Sequence, residues 1–101
     1  MVGKNLSVIW DDQAKEFLRK AVEYIKLDSP QNAEKVKKDI RAAAKDLSKY
    51  PTRYPPDKYR LYNDGSYRCF LMHNLRITYF IGPEKIRIVD LRHSKQAPIY
   101  Y

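Results

Sequence analysis

The sequence predicts an α+β fold. An N-terminal strand and an antiparallel helical hairpin pack on one face of a three- to four-stranded antiparallel sheet. Three observations carry this reading. Apolar residues recur at helical spacing through the first half of the chain and at alternate positions through the second. Short turn signals separate the later strands. Of 101 residues, 44% are hydrophobic, enough for one core and for a single domain over 1–101.

Leu6-Ser7-Val8-Ile9-Trp10 is a short strand by its β-branched and aromatic content. Asp11 or Asp12 then stands where a helix N-cap is needed. Ala14, Phe17, Leu18, Ala21, Tyr24 and Ile25 form an apolar stripe, with Lys15, Glu16, Arg19, Lys20 and Glu23 mostly opposite, so a helix spans about 12–27. Ser29 caps a second helix and Pro30 suits its first position. Ala33, Val36, Ile40, Ala43 and Leu47 make its stripe, which ends near Tyr50-Pro51. The short link implies a helical hairpin. Pro51, Pro55 and Pro56 stiffen a connector. Beyond it the period falls to 2. Residues 58–62 form a short strand and Asn63-Asp64-Gly65 a hairpin turn. Residues 67–73, 75–81 and 85–92 are three further strands, linked at His73-Asn74 and Gly82-Pro83-Glu84. Short links between consecutive strands make an antiparallel meander. Apolar side chains fall on both faces of this sheet, whereas two helices cover only one. The second face is therefore either small and exposed or in need of a partner.

Lys+Arg is 20 against Asp+Glu 12, a net charge of +8. So basic a domain attracts polyanions: nucleic acid, an acidic protein or an anionic membrane surface. Charge alone does not choose among them. Cys69 is the single cysteine, which excludes an internal disulfide and a cysteine zinc site and fits a reducing, cytoplasmic location. Neither a signal-peptide core nor a membrane span is legible. Three glycines are too few for a Gly-rich phosphate loop, and neither GxGxxG nor GxxxxGKS occurs.

Taken in order, several segments look familiar. They are the helix at 12–27, Ser29-Pro30-Gln31-Asn32-Ala33, Leu47-Ser48-Lys49-Tyr50-Pro51, Gly65-Ser66-Tyr67-Arg68, Leu75-Arg76-Ile77-Thr78-Tyr79 and the run from Ile86 through Arg92-His93-Ser94-Lys95. Together they resemble the RelE/ParE superfamily of toxins from bacterial type II toxin–antitoxin systems, over nearly the whole chain. The resemblance implies a cytoplasmic growth inhibitor held inactive by a cognate antitoxin, whose acidic segment wraps around it. Of the superfamily's two activities, the mRNA cleavage on the ribosome of RelE-like members is the expected one here, because Arg68, Arg76, His93, Lys95 and the terminal tyrosines carry suitable chemistry. The alternative is the binding of DNA gyrase, without known catalysis, of ParE-like members. A third possibility is a basic binding module, or a degenerate toxin that only binds its antitoxin.

Metal-free RNA cleavage needs a base for the 2′-hydroxyl, cations for the phosphorane and an acid for the leaving oxygen. By resemblance, Arg76 is the arginine that grips the scissile phosphate, with Arg68 as its cross-strand neighbour on the same face. His93 is an acid–base candidate, or a strand-end histidine bonded to backbone. Lys95 stands for a catalytic arginine, although lysine lacks the bidentate fork. Tyr101, or Tyr100, is the terminal tyrosine that stacks on a base, or else an apolar plug or frayed end. Phe70 replaces a family lysine, which takes a charge from the expected site. His73 reads as structural. No carboxylate stands at metal-ligand spacing from either histidine, so no metal and no cofactor are expected. Lys35, Lys37, Lys38, Arg41 and Lys45 read first as a solvated helix face, then as a footprint for RNA or antitoxin acids. Tyr50, Tyr54, Tyr59 and Tyr62 interleave with Arg53, Lys58 and Arg60, as in RNA contacts or in packing on a sheet edge.

Overall fold

The computed structural model describes residues 6–94. The candidates Lys95, Tyr100 and Tyr101 lie outside them. The elements run β1 (Ser7–Trp10), α1 (Asp12–Asp28), α2 (Pro30–Asp46), β2 (Tyr67–Met72), β3 (Leu75–Ile81) and β4 (Lys85–His93). They form a helical hairpin on a four-stranded sheet of order β1-β4-β3-β2. Strands β2, β3 and β4 are the expected antiparallel meander. β1 instead joins β4 in parallel, with Ser7 beside Lys85 and Trp10 beside Ile88. The sheet is thus mixed. A parallel neighbour needs a long crossover, and the helical hairpin supplies part of it.

Local chemistry explains the helix ends. Ser29 accepts a bond from the Asn32 backbone N–H at 3.1 Å, and Pro30 opens α2 without losing a hydrogen bond. Asp11 occupies the N-cap position of α1, but its side chain makes no capping bond. Its carboxylate accepts Nε and Nη2 of Arg87 at 3.0 and 2.7 Å instead. The expected cap is therefore spent on joining α1 to β4.

The core lies between the hairpin and one sheet face. Ala14 and Leu18 of α1 meet Val36, Ile40 and Ala44 of α2 over Phe70, Leu75, Ile77, Tyr79, Ile86, Ile88 and Leu91. Tyr24, assigned to the buried stripe, is 77% exposed near the end of α1. The interval in β4 from Ile88 to Leu91 breaks strict alternation. The register explains it: Thr78 faces Asp90 but Tyr79 faces Ile88, so Val89 is the extra residue of a bulge. The β2–β3 turn puts both His73 (φ 53) and Asn74 (φ 63) in the left-handed region, as a two-residue type I′ hairpin requires.

The region after α2 departs from expectation. Residues 58–62 form turns, not a strand. The chain pairs with β2 earlier, through a bridge between Pro56 and Arg68, with Asp57 N–H donating to Tyr67 O and Cys69 N–H to Pro55 O. Proline tolerates such an edge, because only alternate N–H groups face the neighbour. Residues 57–62 then fold back across the helix-free side of the sheet. Asn63-Asp64-Gly65 does turn the chain, but by side-chain bonding. The Asn63 amide donates to Asp57 O and Tyr67 O and accepts from the Gly65 and Tyr67 N–H groups. Gly65 (φ +99) supplies the backbone conformation other residues avoid.

Ile77 is fully buried. Ile77→Ala is expected to cost about 2–5 kcal/mol in urea unfolding, whereas Leu71→Ala, at an exposed site on the opposite face, changes stability by less than about 0.5 kcal/mol. Tyr79 donates its hydroxyl to Pro51 O at 2.7 Å. Burial pushes this phenol up to about 12. A raised folded-state value favours the neutral form, so its contribution is complete below about pH 10 and is lost as pH rises towards 12. Tyr79→Phe should lose about 1 kcal/mol at neutral pH and show a shallower alkaline loss of stability than the parent.

Candidate functional site

Alternation along β3 sorts the candidates by face. Leu75, Ile77 and Tyr79 face the helices, which sends Arg76, Thr78 and Phe80 to the other side. The register places Leu71 of β2 and Arg92 of β4 on either flank of Arg76. Residues 57–62 form a partial roof over this face. Between roof and sheet lies an open groove of about 530 Å³, bordered by Asp57, Lys58 and Tyr59 above and by Cys69, Leu71, Arg76, Arg92 and His93 below.

Arg76 is held in place here. Its Nη1 donates to Asp57 Oδ1 at 3.3 Å, and the two side chains are only 13% and 1% exposed. Its guanidinium carbon lies 4.9 Å from the centre of the Tyr59 ring, within cation–π range. Asp57 Oδ1 also accepts the Tyr59 N–H at 3.0 Å, an Asx-type turn that starts the roof. Asp57 Oδ2 faces the Thr78 hydroxyl at 3.5 Å. Arg92, directly across from Arg76, donates to Asp90 at 2.8 Å. The two neighbouring arginines thus each meet a carboxylate, which offsets their repulsion. Burial pushes the Cys69 thiol up, opposed by the nearby Arg76 charge. This thiol is a packed group rather than an activated nucleophile.

The expected pairing of Arg68 with Arg76 does not occur. Arg68 is opposite Tyr79, Arg76 is opposite Leu71, and the two project to different faces. An even sequence separation across a two-residue turn does not put two residues on one face; the register does. Arg68 donates Nε to Gly65 O at 3.0 Å and Nη1 to Tyr54 O at 2.8 Å, binding the connector to the turn. Phe70 belongs to the core, stacked on Tyr54 at 4.7 Å, and both rings border one end of the groove. His93 ends β4 and is exposed at the mouth of the groove. His73 fits its structural reading, with Nε2 2.7 Å from Asp39 Oδ2, joining the β2–β3 turn to α2. That contact, with Lys35, holds the Asp39 carboxyl below its ordinary value.

Of the tyrosines around the connector, Tyr50, Tyr54 and Tyr59 make ring contacts within the fold, whereas Tyr62 is exposed. Arg53 covers Tyr50, Lys58 covers Tyr59 and Arg60 covers Tyr67 at 3.7 Å. Sequence reasoning missed Asp57 and Arg92. The first had a signal, since an Asp after two prolines is a turn-forming position. The second had none, being one arginine among many. Among the described residues, no three histidine, cysteine, aspartate or glutamate side chains gather as a metal site, and no helix is long and apolar enough to cross a membrane.

Because Asp57 is buried with its partner, Arg76→Ala is expected to cost about 3 kcal/mol in urea unfolding. The double variant Asp57→Asn/Arg76→Met should be more stable than the sum of its single changes by about 1–3 kcal/mol, measured as a double-mutant cycle.

The family described as "ParE toxin of type II toxin-antitoxin system, parDE" matches residues 8–98. No curated protein matches the chain. Among solved structures, a chain titled "Chromosomal ParDE TA system from P. aeruginosa" superposes with a TM-score of 0.71 at 18% identity, covering 92% of this chain and all of that one. At that identity the likeness speaks for the fold. The family match spans nearly the whole chain and includes both helices, β2, β3, β4 and all but the first residue of β1. This chain belongs to the ParE toxin family of type II toxin–antitoxin systems.

Proposed function

We propose that this toxin arrests growth by binding DNA gyrase, without catalysis of its own, and that its cognate antitoxin restrains it through an acidic segment. The observation that carries this reading is the commitment of Arg76 to the buried Asp57 carboxylate. A cleavage site needs cations whose charge answers the developing phosphorane. Here Arg76 secures the roof, Arg92 meets Asp90, and Arg68 clamps a loop on the other face. Arg68 and Arg76, two of the residues implicated by resemblance in ribosome-dependent mRNA cleavage, thus serve as supports of the fold. The family match to ParE rather than to a cleaving member supports the same choice.

The antitoxin segment has a suitable seat between the helices. A groove of about 570 Å³ has Trp10, Leu18, Val22 and Ala33 along its lining, with Lys15, Arg19, Lys26, Lys37 and Arg41 outweighing Glu23 and Glu34 around it. An apolar floor beside cations fits an acidic amphipathic segment.

The test sets two assays side by side, with purified chain added to a gyrase supercoiling reaction and to programmed ribosomes. The expected result is gyrase inhibition, reversed by antitoxin, with the mRNA left intact. A-site cleavage of mRNA with gyrase unaffected would overturn the proposal in favour of an mRNA interferase. Absence of both effects in a chain that binds antitoxin would identify a degenerate toxin.

A further inference from the structure

The roof over the sheet does more than cover it. At its turn it presents Leu61, 55% exposed, and Tyr62, wholly exposed. An apolar residue and an aromatic one side by side on a loop tip contribute nothing to this core, and burying them elsewhere is favourable. Tyr62 also sits at φ 54, a left-handed conformation that a bulky side chain adopts at an energetic cost. The other described non-glycine residues with positive φ, His73 and Asn74, make the β2–β3 turn and satisfy its geometry. The strain at Tyr62 serves no hairpin.

The tip is held firmly despite its exposure. Asp57 accepts the Tyr59 N–H, and the Asn63 amide bonds to Asp57 O and Tyr67 O on either side of the turn. Arg60 lies over the Tyr67 ring. Such anchoring removes much of the ordering cost that a loose loop pays on binding. The charge leans positive. Residues 58–62 read Lys-Tyr-Arg-Leu-Tyr, with two cations and no acid. Of the neighbouring acids, Asp57 is buried against Arg76, while Asp64, exposed and accepting the Ser66 N–H at 2.9 Å, keeps its charge beside the two cations. Exposed Leu71 lies on the same side of the sheet, bordering the groove beneath Lys58 and Tyr59.

We propose that the Leu61–Tyr62 tip is the element by which this toxin docks onto its protein target, inserting the two side chains into an apolar pocket rimmed by carboxylates. This deepens the binding-type reading and rests on it. The occupant is an acidic protein surface because the anchor is apolar and the flanks are basic. The tip is separate from the interhelical groove assigned above to the antitoxin: none of its residues borders that groove. Target and antitoxin would then grip different surfaces.

Glycine gives a clean test, since Tyr62→Gly removes the ring while suiting a positive φ. The variants are Tyr62→Gly, Leu61→Ser and Tyr62→Phe, compared with the parent for thermal stability, antitoxin binding, binding to purified gyrase and growth arrest in cells. Tyr62→Gly and Leu61→Ser should melt no lower than the parent by more than a few degrees and bind antitoxin within about twofold, yet bind gyrase about tenfold more weakly or worse. Tyr62→Phe should keep binding within about threefold. Undiminished gyrase binding by both disruptive variants would overturn the inference. So would a parallel loss of antitoxin binding, which would assign the tip to the antitoxin. If the parent itself fails to bind gyrase, the binding-type reading of the target fails. Growth arrest then decides the tip separately: arrest abolished in Tyr62→Gly, with antitoxin binding intact, keeps it as the docking element for another protein, and arrest unchanged removes it.

Discussion

The Asp57 carboxylate is buried to 1% exposure beneath the connector, and a charge placed there must be met by donors. Arg76 from the sheet meets it, the Tyr59 N–H closes a turn on it, and the Thr78 hydroxyl faces it. These contacts fix where the connector stops running along the β2 edge and starts to cross the sheet. Everything on the helix-free side follows from that point: the groove, the stacking of Arg76 on Tyr59, and the position of the loop tip.

The arrangement divides the molecule's positive charge by role. Some cations are structural, since Arg68, Arg76, Arg87 and Arg92 each hold a carbonyl or a carboxylate of the fold. Others project into solvent, among them Lys20, Lys38, Arg41 and Lys45 on the helices and Lys58 on the roof, where they act over longer range and steer an acidic partner. The net charge of +8 belongs mostly to the second purpose. The first group is thereby committed within the fold, Arg68 to backbone carbonyls and Arg76, Arg87 and Arg92 to carboxylates.

How far this was legible depended on whether the signal was local. The helices were readable because propensity, capping and stripe agree: Ser29 caps, Pro30 starts, and Val36 and Ile40 are buried as spaced. The His73-Asn74 turn was readable for the same reason, since Asn suits positive φ. The strand expected at 58–62 failed because alternating tyrosines and cations imitate a half-buried strand, while the deciding interaction, Asp57 with Arg76, joins residues 19 apart. The parallel placement of β1 is likewise a long-range outcome. In the candidate site, residue types were legible and faces were not. Arg68 and Arg76 look like partners in sequence, and only the register, with Arg68 opposite Tyr79, separates them. The Val89 bulge was visible in principle, since Ile86, Ile88 and Leu91 cannot share a face of an unbroken strand.

One consequence concerns how such a protein tolerates change. Two helices cannot cover both faces of a four-stranded sheet, so a small domain with apolar residues on each face must find a second cover. Here the chain provides its own from 57–62, fixed by a buried ion pair rather than by apolar packing. Ion pairs of this kind add little net stability but penalise the loss of either partner. The roof therefore holds one conformation while leaving its apolar side chains, Leu61 and Tyr62, unspent on the core. A roof held by its own apolar contacts would have buried those residues. Fixing the loop through Asp57 is what leaves an apolar surface both ordered and exposed, the condition a docking element requires.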